Sequence, residues 1–348
     1  MTATGLVNSV VRAAAIDPSN PMTLYAAVNA QGSARLFKST DGGDTWKPTG
    51  LNGITVNVLT IHPVDSTTLY AGTGDNGEGG ALLKSTDGGE TWSIAGLSSR
   101  TILGIAIDRR DPSVVYSAAA QDVDAFMQKY GPSGAILYST YLGGAGRDRA
   151  ADIGVDAAGN AYITGGTFSD RFPIRDAVVA VKPSGPAATS VFVTKLSTRI
   201  NALLSPLGYS TYLGSDETSR GVAIAVDGAG KAYVTGTTGP PSVAISASIK
   251  SVHGEDVFVA KLVAPPLILG ASVRGKKLFV AGEGFDAGAV LLLNGEPQKT
   301  RNDASTSNLL IIAPKAGKKT RPGESVSLQV RNSDGTLSDV LLFARPAL

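Results

Sequence analysis

Along the first 263 residues, apolar positions alternate with polar ones in short runs rich in Val, Ile, Thr and Tyr, separated by Gly, Pro, Asn and Asp. This is the pattern of many short half-buried β-strands joined by tight turns. One such run recurs. AAAIDPSNPMTLYAA at Ala13–Ala27 returns as VLTIHPVDSTTLYAG at Val58–Gly72 and as GIAIDRRDPSVVYSA at Gly104–Ala118. It appears again as DIGVDAAGNAYITGG at Asp152–Gly166 and AIAVDGAGKAYVTGT at Ala223–Thr237. The marker residues Ile16, Ile61, Ile107, Val155 and Val226 are 45, 46, 48 and 71 residues apart, so the last interval carries an insertion.

A fixed period of this length marks a radial or stacked array. Each unit predicts a first strand of small residues, an Asp-containing turn and a second strand with a tyrosine. Third strands follow at Ala34–Ser39, Ala81–Ser85, Val191–Leu196 and Asp256–Leu262, and fourth strands at Trp46, Trp92, Leu137–Leu142 and Gly208–Leu213. Four strands per repeat make a blade, and small first-strand residues suit a crowded axis. The expected fold is therefore all-β: a β-propeller of about five four-stranded blades over residues 1–263, near 9–52, 56–100, 101–144, 149–214 and 220–263. The last repeat runs out after its third strand, and TGLV at 4–7 is similar to TGLN at 49–52, so the N-terminal residues are expected to close the last blade. Residues 264–348 hold further alternating runs at Lys277–Val280, Val290–Leu293, Leu309–Ile312 and Ser325–Val330, which suit a small β-sandwich joined through Pro265-Pro266.

STDGGDTW at Ser39–Trp46 and STDGGETW at Ser85–Trp92 resemble the Asp-boxes of BNR repeats. In that motif the Asp (Asp41, Asp87) caps a hairpin turn, glycines such as Gly43 and Gly89 take positive φ, and the Ser and Thr (Ser39, Thr45, Ser85, Thr91) and Trp (Trp46, Trp92) complete a structural unit. LYSTYLGG at Leu137–Gly144 and GYSTYLGS at Gly208–Ser215, each followed by VDAAGNAY or VDGAGKAY, resemble bacterial SBBP-type propeller repeats. GEGF at Gly282–Phe285, LNG at Leu293–Gly295 and VRNSDGTLS at Val330–Ser338 resemble an IPT/TIG Ig-like domain, a module that serves as a spacer or adhesion unit. These resemblances imply an exported or cell-surface protein, although no charged and then apolar leader opens the chain.

Charge narrows the partners. Lys and Arg number 31 against 29 acids, which gives no field strong enough for nucleic acid. Apolar runs fall short of the roughly 18 residues of a membrane span. The absence of cysteine excludes disulfides and thiol chemistry. His62 and His253 are too few and too far apart for a metal site, and His62 takes the turn position of Asp17 and Asp108. DNGEGG at Asp75–Gly80 lacks the spacing of a calcium loop and reads as a polar hairpin, so no metal or cofactor is expected. Sialidase chemistry is excluded: the FRIP-like segment of that family is missing, and RFPI at Arg171–Ile174 reads as a loop.

What remains is the loop face on which fourth-to-first and second-to-third connections converge. It is expected to carry Asp75, Asn76, Glu78, Arg100, Arg147, Asp148, Arg149, Asp216, Glu217 and Arg220, with two long insertions, Gln121–Gly134 and Phe168–Pro186, as a lid or ledge. The leading expectation is a non-catalytic binding or scaffolding protein that recognises a glycan or a protein there. The alternatives are a glycan hydrolase or lyase with an acid pair on the rim, and an assembly factor that docks a protein through arginines.

Overall fold

The computed structural model describes residues 6, 9–30, 33–74, 79–120, 124–185, 187–197, 207–215, 218–227, 230–239, 256–263, 265–302 and 310–346. Among the described residues it is all-β apart from one 3-10 turn, and the chain divides into two compact units, residues 1–226 with 232–261 and residues 262–348 with 227–231.

The first unit holds five antiparallel sheets among the described residues, each made of strands in chain order. Sheet one is β1 (Val10–Ile16), β2 (Leu24–Ala30), β3 (Ser33–Ser39) and β4 (Lys47–Asn52). Sheet two is β5 (Val56–Ile61), β6 (Leu69–Thr73), β7 (Ala81–Ser85) and β8 (Ser93–Ser98). Sheet three is β9 (Thr101–Ile107), β10 (Val115–Ala120), β11 (Ala125–Tyr130) and β12 (Ile136–Leu142), and sheet four is β13 (Asp148–Val155), β14 (Ala161–Thr167), β15 (Ser190–Leu196) and β16 (Leu207–Leu213). Sheet five has three strands, β17 (Ser219–Val226), β18 (Lys231–Thr238) and β19 (Asp256–Val263). Residues 1–5 and 7–8, and with them the expected closing strand, lie outside the described residues.

First strands of successive sheets lie side by side, β1 with β5, β5 with β9, β9 with β13 and β13 with β17. Small residues are required there. A Cβ on Gly104 of β9 would sit 2.8 Å from the Ile153 nitrogen of β13. The apolar core lies between neighbouring sheets: Tyr25, Leu36, Leu59 and Leu69 join sheets one and two, Leu82, Ile102, Ile105 and Phe126 join two and three, and Tyr116, Met127, Ile153, Ile163 and Phe192 join three and four.

The second-strand tyrosine is the repeated anchor. Tyr25, Tyr70, Tyr116 and Tyr162 are all buried, and each is covered by the ammonium of a cross-strand lysine on the third strand (Lys38, Lys84, Lys129, Lys195) at 5.1–5.5 Å from the ring centre. Tyr25 Oη donates to the Gly88 carbonyl of sheet two at 3.0 Å, and Tyr116 Oη to the Gly159 carbonyl of sheet four at 2.9 Å. Both glycines have φ near +74° to +80°, which a side chain at either position would strain.

Three expectations need correction. Gln121–Gly134 is not a free insertion: its Ala125–Tyr130 stretch is β11, paired on both sides, with Ala125 and Met127 fully buried. The run AFMQKY carries buried residues on both faces, so it lacks the alternation that marks a half-exposed strand. Nor is Phe168–Pro186 a lid over its described length. Phe172 stacks on Phe192 in the core, and the backbones of Arg175 and Ser210 exchange hydrogen bonds at 2.8 and 3.0 Å. Trp46 and Trp92 stand in turns immediately before β4 and β8 rather than within them.

Among its described residues the second unit contains two four-stranded antiparallel sheets. One is ordered β20 (Leu267–Arg274), β21 (Lys277–Glu283), β25 (Leu310–Ala313), β24 (Arg301–Asn302). The other is ordered β23 (Glu296–Pro297), β22 (Val290–Leu293), β26 (Ser325–Arg331), β27 (Leu341–Ala344). Leu278, Val280 and Ile311 of the first sheet share one core with Leu291, Leu293, Leu328 and Val330 of the second. Asn294 and Gly295 both have positive φ, as a two-residue hairpin turn between β22 and β23 demands.

Removing the Tyr116 hydroxyl takes away the bond it donates to the buried Gly159 carbonyl. Tyr116→Phe is expected to lower the stability of the first unit by about 1–2 kcal/mol, read as a lower urea midpoint at unchanged slope. An unchanged midpoint would mean that the hydroxyl does not tie the sheets together.

Candidate functional site

The two S-T-D-G-G-x-T-W turns are nearly superimposable in their bonding. Ser39 Oγ donates to Asp41 Oδ1 at 2.7 Å and accepts the Gly43 N–H at 2.9 Å, Asp41 Oδ1 accepts the Thr45 N–H at 2.9 Å, and Trp46 Nε1 donates to the Gly43 carbonyl at 3.0 Å. Ser85, Asp87, Gly89, Thr91 and Trp92 repeat this arrangement. The threonine hydroxyl, then its N–H, holds each carboxyl down to about 2. Their hydrogen bonds close within the turn, so these residues shape the hairpin. His62 does the same work as the aspartates in sister turns, its Nδ1 accepting the Val64 and Asp65 N–H groups.

The expected rim residues divide into three groups. Asp75, Asn76, Glu78, Asp216 and Glu217 lie outside the described residues. Arg100 is drawn inward: its guanidinium stacks over the Phe126 ring at 4.8 Å, and its Nη1 is buried without a hydrogen-bond partner. Arg147, Asp148, Arg149 and Arg220 gather where β13 and β17 begin.

Within that group the arginines and the acid behave oppositely. Arg147, Arg149 and Arg220 have exposed side chains. Arg149 pairs directly with Gly166 across β13 and β14, so its side chain leaves the sheet on the same face as the missing Cβ of Gly166. The Cγ of Arg220, from the next sheet, lies 3.9 Å from that Cβ position. Arg149 by register and Arg220 by contact of its Cγ thus leave their sheets beside one glycine.

Asp148 points inward and is only 3% exposed. Its Oδ2 accepts the Gly144 N–H and the Ser169 hydroxyl, both at 2.8 Å, while its Oδ1 has no partner. Facing it is Asp124, the residue before β11, whose Oδ1 is buried and likewise without a partner. A Cβ on Gly143 would touch Asp124 Oδ1 and lie 2.7 Å from Asp148 Oδ2. Burial, and after it the charge of Asp148, raises the Asp124 carboxyl above its ordinary value. Asp124 escapes the sequence pattern because it belongs to the corner of a strand that the pattern leaves as loop.

Comparison with known proteins places part of this region. Residues 137–173 match the SBBP beta-propeller repeat. No curated protein matches the chain. Among solved structures, YCF48 bound to D1 peptide is similar at 12% identity over 88% of this chain and 91% of its own, with a TM-score of 0.36. The Dos1 propeller is similar at 12% identity over 98% and 93%, TM-score 0.39, and TolB from Acinetobacter baumannii at 11% over 97% and 63%, TM-score 0.39. Scores this low carry no conclusion about ligand or partner.

Inside the SBBP repeat, Asp152 stands at the β-bulge of its first strand, where the other four sheets place Ala13, Val58, Gly104 and Ala223. Its carboxylate accepts its neighbour's Ile153 N–H at 2.8 Å and, across to sheet five, the Ile224 N–H at 2.9 Å. Burial outweighs both bonds and pushes its carboxyl up to about 6.

Between about pH 4 and 6, then, the folded state keeps a proton on Asp152 that the unfolded chain releases. Stability from this group is greatest on the acid side and is lost as pH rises through about 6, by an amount on the order of 3 kcal/mol. Asp152→Asn is expected to remove this slope, measured as the difference between variant and parent urea midpoints at about pH 4 and about pH 7. Parallel midpoint curves for the two proteins would contradict it.

Proposed function

We propose that the five sheets of the first unit form a five-bladed β-propeller with two Asp-box turns, and that the protein is a non-catalytic binding or scaffolding module. The observation that carries the functional reading is the placement of Arg149 and Arg220 beside Gly166. Two exposed arginine side chains leaving beside one glycine suit a planar, oxygen-rich acceptor such as a carboxylate on a protein loop or an acidic glycan. Arg147 adds a third exposed cation on the same stretch of chain.

The second unit, residues 264–348 as an IPT/TIG-like Ig fold, is read as a spacer or second contact. Two sheets sharing one core support that reading. Resemblance to bacterial surface propeller repeats favours a site of action outside the cell.

A hydrolase would need two carboxylates facing an open cleft. Asp148 is turned inward and hydrogen-bonded to its own loop, which weighs against that role.

The test is binding of the full chain to glycan and peptide arrays, with products followed by mass spectrometry. Retention of an acidic glycan or peptide without turnover is expected, weakened about tenfold or more by Arg149→Ala with Arg220→Ala. Product release, or binding indifferent to both substitutions, would overturn the reading.

A further inference from the structure

A buried carboxylate, Asp148, and a half-buried one, Asp124, share a corner without an ion pair among the described residues, and each has one buried oxygen with no donor. Neither Asp124 nor Asp148 meets a lysine or arginine there; Arg147 and Arg149 turn outward and Arg100 stacks on Phe126. Like charges this close, with one oxygen each left without a donor, are relieved by a proton or by a cation.

The fold itself does not call for them. Ala125 pairs with Leu142 as Val191 pairs with Leu213, and Asp148 pairs with Thr167 as Ser219 pairs with Thr238. The matching corner of the next repeat therefore holds Ser190, Gly214 and Ser219 in place of Asp124, Gly143 and Asp148. There the need for polar contacts is met by neutral hydroxyls: Ser219 Oγ bonds Thr238 Oγ1 at 2.9 Å and Ser190 Oγ bonds Ser184 Oγ at 2.7 Å. Both repeats keep the glycine, whose Cβ would collide with the facing side chains. One repeat thus pairs the two matching side chains with hydroxyls, and its neighbour builds the same corner from two acids that each leave one oxygen without a donor.

We propose that Asp124 and Asp148 hold a calcium ion at the Gly143 corner. The donors are hard carboxylate oxygens, with no His or Cys beside them, which excludes the preferences of zinc and copper. Calcium tolerates irregular geometry and completes its shell with backbone carbonyls and water, whereas magnesium demands a near-octahedral cage. Asp124 is only half-buried, so water reaches the open side. Two carboxylates place the affinity in the weak range of extracellular calcium modules, Kd on the order of 10⁻⁴–10⁻³ M. The ion would tie the start of β11 to the start of β13, fixing the segment that carries Arg147 and Arg149. The proposal does not depend on what those arginines bind.

The experiment is calcium titration calorimetry on the full chain, paired with thermal unfolding in about 10 mM calcium chloride or in chelator. Binding in the stated range and a rise in Tm of a few degrees are expected, with a smaller response to magnesium. Asp124→Asn, at a half-buried position, should abolish both signals. So should Asp124→Ser with Asp148→Ser, which copies the hydroxyls of the neighbouring repeat and keeps the corner satisfied if Asp148→Asn alone fails to fold. The proposal fails if the parent shows neither heat nor a Tm rise, or if the response survives in these variants. It also fails if acidification alone stabilises the corner through Asp124 while calcium does nothing.

Discussion

The first unit depends on one contact made again and again: a tyrosine on the second strand of a sheet, capped by a lysine on the third strand and covered by the sheet that follows. Tyr25, Tyr70, Tyr116 and Tyr162 are at most 6% exposed, and the lysine ammonium sits over each ring at nearly one distance. Such a cation over a desolvated ring contributes about 1–2 kcal/mol. Lys38, Lys84 and Lys129 remain partly exposed, whereas Lys195 is buried and also lies 3.9 Å from the buried Asp156 carboxylate. Sheet five builds the same pair, Tyr233 with Lys261 at 5.3 Å, but there the tyrosine is 37% exposed, beside the exposed Val222, Val257 and Val259. The pair is therefore made within a sheet, and its burial is made between sheets.

Regularity of this kind shows where one repeat departs from its sisters. Four first strands carry small or apolar residues at the bulge; the fourth sheet carries Asp152, and takes on a charge-dependent link to sheet five in place of simple packing. A few residues earlier it carries Asp148 where the fifth sheet has Ser219. Both departures fall within the segment that matches the SBBP repeat and beside the outward arginines. Acids turned in and cations turned out from one short stretch give that edge of the unit its chemical character.

Much of this is readable from the chain. The Asp turns, the small first-strand residues and the tyrosines recur in the sequence at positions that the sheets then occupy in order. The lysine partners recur too, 13, 14 and 13 residues after Tyr25, Tyr70 and Tyr116, but Lys195 stands 33 residues after Tyr162 because the long insertion intervenes, so the regularity is broken in the fourth repeat. β11 is hidden for a different reason: AFMQKY is buried on both faces and presents no alternation. Asp124, at the corner of that strand, is hidden with it, while Arg147, Asp148, Arg149 and Arg220 are visible as charges whose inward or outward direction only the fold decides.

The most direct test of the stacked arrangement is the reactivity of individual tyrosines toward nitration in the folded chain, followed residue by residue by mass spectrometry. Tyr141, 56% exposed, supplies the reference for an open ring. The account predicts rapid modification of Tyr141 and Tyr233, with Tyr25, Tyr70, Tyr116 and Tyr162 protected until the protein unfolds. Modification of those four at the rate of Tyr141 would contradict it.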